Sequence, residues 1–97
     1  MRISIEQIDV ITDTLRSSIS DASVYLFGSR IDDSKRGGDI DIFLLTEQVV
    51  ELRDKIRLLS QLERKGIARK VDLVISSPGH PNEKIYREVM DKGIRLC

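Results

Sequence analysis

Apolar positions along the chain follow two rhythms. Ile5, Ile8, Ile11, Leu15 and Ile19 recur at helical spacing. Ser4 precedes them and Gln7 stands three residues later, the signature of a capping box. The spacing predicts a helix over 4–18, closed by the turn 20–22. Ser23-Val24-Tyr25-Leu26-Phe27 is a β-prone run that stops at Gly28-Ser29-Arg30. Residues 30–38 are polar and end in Gly37-Gly38, so a loop or short helix is expected there. Asp39–Leu45 reads as a second strand. Thr46 is the expected N-cap of the next helix. Val49, Leu52, Ile56, Leu59 and Leu62 form that helix's apolar stripe, and Gly66 suits its end. Val71–Ile75 reads as a third strand. Ser76–Pro81 is a loop in which His80 is a turn residue. Asn82 is placed to cap a last helix through Lys92, with Gly93 as its stop and Ile85, Tyr86, Val89 and Met90 as core. The predicted order is α-β-(helix or loop)-β-α-β-α. That is an α/β (α+β) sandwich, a small mixed sheet with helices packed on it. Residues 1–97 are read as a single domain, since 97 residues leave no room for two.

Composition narrows the function classes. Sixteen basic residues balance sixteen acidic ones. A neutral chain argues against a general electrostatic grip on DNA, RNA or a membrane surface. No apolar run approaches the length of a membrane span, and no signal-peptide pattern is read, so a cytoplasmic protein is expected. The one cysteine, Cys97, excludes an internal disulfide, and the one histidine, His80, disfavours a His/Cys zinc site. Arg53, Lys55, Arg57, Arg64, Lys65, Arg69 and Lys70 cluster in and after the third predicted helix. Interspersed acids make a solvated face the plainer reading, and a docking surface for an acidic partner the sharper one.

The second strand breaks a folding rule. Asp39 and Asp41 lie two residues apart, so both leave one face, with Cα atoms about 6.7 Å apart. Like charges beside each other in an apolar strand destabilise it, and strands disfavour Asp. A divalent cation resolves the conflict, and hard oxygen ligands suit magnesium or manganese. The plain alternative is a frayed strand end with both carboxylates in water. Asp72 also stands in an apolar run, between Val71 and Leu73. If its strand pairs beside Asp39–Leu45, three carboxylates meet on one surface, a set that can hold two cations about 4 Å apart. Otherwise Asp72 is an edge-strand residue paired with an arginine. Gly28-Ser29 follows a strand and can admit a phosphate close to the backbone. It lacks the Lys-Ser/Thr ending of a P-loop. Arg30, Lys35 and Arg36 could add positive charge there, or serve as partners of Asp32 and Asp33.

Taken together, Leu26-Phe27-Gly28-Ser29-Arg30, the polar loop, Asp39-Ile40-Asp41 and the later Asp72 resemble the nucleotidyltransferase superfamily related to DNA polymerase β. The likeness is greatest to the minimal nucleotidyltransferases (MNT) and runs from about Ile3 to Leu96. Two details depart from the pattern: Gly38 stands where many relatives have serine, and the loop is short.

The resemblance implies attack by an acceptor hydroxyl on the α-phosphate of a nucleoside triphosphate, with ATP as substrate and two Mg2+ ions as cofactors. Asp39 and Asp41 would hold the nucleotide-bound ion and share the second. Asp72 would hold the second ion and lower the acceptor's pKa. Gly28, Ser29 and Arg30 would grip the phosphates. A further implication is an antitoxin that adenylylates a tyrosine of a HEPN toxin encoded nearby. Size agrees with a partner chain, because the catalytic sheet and its helices use up the whole sequence. Competing readings are a non-catalytic module that neutralises its partner by occlusion, and a transferase for a small molecule. The base, the acceptor and the oligomeric state, a homodimer included, are open at this point.

Overall fold

The computed structural model describes residues 3–28 and 40–97, as three helices and a four-stranded sheet. The elements are α1 (Ile5–Ser18), β1 (Ser23–Leu26), β2 (Ile40–Leu45), α2 (Leu52–Arg64), β3 (Val71–Ser76), α3 (Glu83–Lys92) and β4 (Ile94–Arg95). The expected fold class is found, and the described elements follow the expected order with a further strand, β4, after the last helix. The expected loop or short helix at 30–38 lies outside the described residues.

The capping box forms as read. Ser4 Oγ accepts the Gln7 amide at 3.1 Å, and Gln7 Oε1 accepts the Ser4 amide at 3.1 Å. The strand order is β3-β2-β1-β4. β2 and β3 are parallel, with α2 as the crossover between them; β1 is antiparallel to both β2 and β4.

Alternation along the strands assigns the two faces. Val24, Leu26, Ile40, Ile42, Leu44 and Leu73 join Ile11 and Leu15 of α1 and Leu58 and Leu62 of α2 in one core. The opposite face carries Tyr25, Asp41, Phe43, Asp72 and Val74. Phe43 is fully buried there. Its ring lies 6.2 Å from that of Tyr25 and 6.3 Å from that of Tyr86, so α3 covers this part of the face. Phe43→Ala is expected to cost about 3–5 kcal/mol, read from denaturant unfolding.

Four expectations need correction. Thr46 does not cap α2. Its hydroxyl donates to Asp21 Oδ1 and accepts the Gln48 amide at 3.0 Å, while Asp21 Oδ2 accepts the Glu47 amide at 2.9 Å. Thr46 and Asp21 thus close the turn leaving β2. The α2 cap is Glu51, whose amide donates to Asp54 Oδ2 at 3.0 Å. Secondly, the apolar stripe of α2 is out of phase. Leu58 and Leu62 are buried, whereas Val49, Leu52 and Ile56 are 72%, 72% and 55% exposed. At 3.6 residues per turn the apolar arc from Leu58 to Ile56 spans about 160°, wider than the core contact needs. Thirdly, Tyr86 and Met90 lie at the surface, 39% and 43% exposed, and Val89 alone of that helix is fully inside. Finally, Gly93 stops α3 as expected, but a further strand, β4, follows it. It is two residues long, and its pairing with Tyr25 and Leu26 is a long-range event.

The Asp21 carboxyl is held below its ordinary value of 3.8, chiefly by the Thr46 hydroxyl and then by the Glu47 amide. A depressed folded-state pKa adds stability that is complete above the ordinary value and fades as pH falls through the lower one. Asp21→Asn is therefore expected to lower the melting temperature at pH 7. The gap from the parent should begin to narrow below about pH 3.8 and go on shrinking as pH falls further, so it is smaller at pH 3 than at pH 7 in a comparison of thermal melts.

Candidate active site

The parallel register sets Asp41 of β2 directly beside Asp72 of β3. Adjacent strands place their Cα atoms about 4.8 Å apart. Both are the second residue of their strands, so the pair sits where the two parallel strands begin. Both leave the face opposite the α1–α2 core, just beyond the part that α3 covers. Asp41 is half-buried, and the Asp72 side chain is 45% exposed. Lys70 Nζ lies 3.7 Å from Asp72 Oδ1. The cluster thus already accepts a cation in the form of an exposed ammonium, which a stronger cation can displace at little loss.

Gly28 completes the described part of the site. The Phe27 amide donates to the Asp41 carbonyl at 3.1 Å, which ties the exit of β1 to the start of β2. The chain then turns at Gly28 with φ +72°, a left-handed conformation that glycine adopts freely. A Cβ at this position would stand 2.5 Å from Asp41 Oδ2. The missing side chain leaves room at that carboxylate oxygen.

Ser29, Arg30 and Asp39, three further candidates from the sequence, lie outside the described residues, as do Lys35 and Arg36. Among the described residues no group of three carboxylate, His or Cys side chains is gathered. Asp41 and Asp72 offer hard oxygen donors side by side, and the space at Gly28 opens on one of them. These residues fit a divalent cation of the magnesium type. His80 is an exposed turn residue, its amide donating to the Ser77 carbonyl at 3.0 Å. Lys70, read from sequence only as one of a basic cluster, is the neighbour of Asp72 that the pattern did not single out.

A mixed sheet with two carboxylates side by side at the start of its parallel strands, and a glycine turn beside them, is an arrangement compatible with nucleotidyl transfer. The chain belongs to the polymerase β nucleotidyltransferase family, whose profile matches residues 9–97. No curated protein matches the sequence at a significant level. Among solved structures, a toxin–antitoxin complex with AMP-PNP is similar over 93% of this chain and 72% of its own, with 25% identity and a TM-score of 0.76. The tri-AMPylated HEPN toxin of Shewanella oneidensis in complex with its MNT antitoxin is similar over 95% of this chain and 70% of that one, with 25% identity and a TM-score of 0.72. No helix among the described residues is long and apolar enough to cross a membrane.

Proposed function

We propose that the chain is an MNT-type antitoxin that transfers AMP from ATP to a tyrosine of a HEPN partner. The observation that carries this reading is the Asp41–Asp72 pair, set side by side next to the turn at Gly28. The two neighbouring complexes support it, one holding AMP-PNP and the other an AMPylated HEPN toxin.

In this reading Asp39, Asp41 and Asp72 hold divalent metal, and Gly28, Ser29 and Arg30 receive the phosphates. Bound metal supplies charge neutralisation at the phosphates and at the acceptor oxygen. The tyrosine oxygen forms a bond to the α-phosphorus while the bond from that phosphorus to the bridging oxygen breaks. Pyrophosphate leaves, and the hydroxyl proton moves toward Asp72, which borders the open side of the sheet. The open face gives the acceptor access, and the partner supplies the wall that a single small sheet lacks.

Intact-mass analysis tests the reading. The chain is incubated with ATP, magnesium and the product of the adjacent gene. The expected result is a mass gain of one or more AMP groups on tyrosine of the partner. A partner that stays unmodified while forming a stable complex would support neutralisation by occlusion instead.

A further inference from the structure

The geometry points to β3 as the docking strand for the acceptor: an extended, acidic-flanked segment of the partner protein adds to this sheet edge and presents its hydroxyl residue beside Asp72. This inference rests on the function proposed above and specifies how the acceptor is held.

β3 is an edge strand. The Ile40 amide donates to the Lys70 carbonyl at 2.9 Å, and the Thr46 amide to the Ser76 carbonyl at 3.1 Å. With the register Ile40↔Val71, residues 70, 72, 74 and 76 therefore turn their backbone groups toward β2. Val71, Leu73 and Ile75 turn theirs outward. Among the described residues one bond meets these outward groups, from Asn82 Nδ2 to the Ile75 carbonyl at 2.7 Å. Among the described residues the edge is thus open from Val71 to Leu73, alongside the carboxylate. Proteins usually blunt such an edge, and an open one is a template for strand addition.

The flanks of the edge are apolar. Leu52 lies with Ile75 around one hollow at the edge, Ile56 stands one turn further along α2 and is 55% exposed, and Val71 and Ile75 are half-buried. A hollow of about 750 Å³ opens at the start of β3, between Leu59, Leu62, Ile67 and Val71. A second, of about 360 Å³, opens at its end between Leu52, Lys55, Ile75 and Ile85. Val71 and Ile75 lie about 13 Å apart along the strand, a four-residue step. The hollows are thus sockets for alternate side chains of one extended segment. Charge selects its flanks. Residues 51–70 carry seven basic and three acidic side chains in a chain that is neutral overall. In the near hollow Arg69 and Lys70 outnumber Glu63, while Lys55 and Glu51 balance in the far one, so the basic excess that favours an acidic segment lies at the near end.

Position along the strand then fixes what meets Asp72. Its backbone groups point to β2, so an antiparallel partner residue opposite it forms a non-hydrogen-bonded pair. Such pairs stand about 4.5 Å apart at Cα and bring side chains closest, on the same face. A hydroxyl residue there faces the carboxylate. The residues on either side of it, and the one three positions earlier, point to the α2 side and its sockets. A second copy of this chain fits the edge less well. Antiparallel pairing about Leu73 would set the two Asp72 centres only about 8 Å apart on one face, too close for two triphosphates.

The probe is the acetylated, amidated peptide Glu-Leu-Glu-Val-Tyr-Ile-Glu, which carries this pattern. Amide exchange in the full chain is followed by NMR with and without it. The expected result is at least tenfold slower exchange at Val71 and Leu73, lost in the double variant Leu52→Asp, Ile56→Asp. Both positions are exposed, and an unchanged melting temperature checks that the variant folds. Unchanged exchange at saturating peptide, or slowing that survives the double variant, overturns the inference. So does a dimer of the free chain in which these amides are already protected. Transfer to the intact partner is read separately. Transferred AMP with unaltered Val71 and Leu73 amides sinks this docking mode and leaves the proposed function standing. Protected amides without transferred AMP do the reverse.

Discussion

Asp41→Asn is expected to lower the rate of nucleotide transfer by about 10³-fold, with the fold intact. The magnitude is that of removing one group aimed at charge that develops in the transition state. The substitution keeps the volume and shape of the side chain and removes its charge. Asp41 is half-buried at the start of β2, and its carboxylate faces the space at Gly28. A neutral amide there can neither neutralise a divalent cation nor take part in the paired site with Asp72. The checks are single-turnover transfer and a melting temperature without metal, the latter being the control that the variant folds. A variant that stays folded and is catalytically silent fits a site carboxylate. One that transfers at the parent rate removes Asp41 from the chemistry.

The second large effect is expected at Gly28. Gly28→Ala meets two obstacles. A left-handed φ costs a non-glycine residue about 1–2 kcal/mol. The new Cβ also stands 2.5 Å from Asp41 Oδ2, a distance that real side chains do not tolerate, so the carboxylate must swing away. A displacement of about 1 Å at a reacting centre is worth about 10²-fold in rate. The expected result is therefore a loss of about 10²-fold in kcat/KM together with a modest loss in unfolding free energy. Gly79→Ala separates the two causes. Gly79 has φ +86°, and nothing lies within 4 Å of the Cβ it would gain. It should show the backbone strain and keep full transfer activity. Equal activity in the Gly28 and Gly79 variants would mean that the space beside Asp41 has no role.

These two residues also show how far the sequence could be read. Asp41 and Asp72 stood out because each puts a charge into an apolar strand, a conflict visible in one dimension. Their juxtaposition did not. The third strand could have joined either side of the sheet, and the parallel register that sets Asp41 beside Asp72 is a tertiary outcome. The close approach of Gly28 to Asp41 is likewise a contact between strands. Ser4 and Gln7 were legible for the opposite reason, since a capping box is complete within four residues. Thr46 was misread because two capping partners compete for it. The hydroxyl goes to Asp21, 25 residues earlier, and that choice depends on how α1 meets the sheet. The phase of α2 was hidden by excess. Leu52, Ile56, Leu58, Leu59 and Leu62 cover more of the helix than the core needs, and periodicity cannot tell which part is left over. In the present reading that surplus has a use, as the flank of the acceptor edge.

The measurement that tests the central claim most directly is transfer from ATP labelled in turn at its α- and γ-phosphates. The chain and magnesium are incubated with each label and the protein encoded by the adjacent gene. The expected result is label on the partner from α-labelled ATP alone, with pyrophosphate released, and none when Asp41→Asn replaces the parent. Label from the γ-phosphate, or a neutralised partner that carries no label from either, would contradict nucleotidyl transfer as the function of this chain.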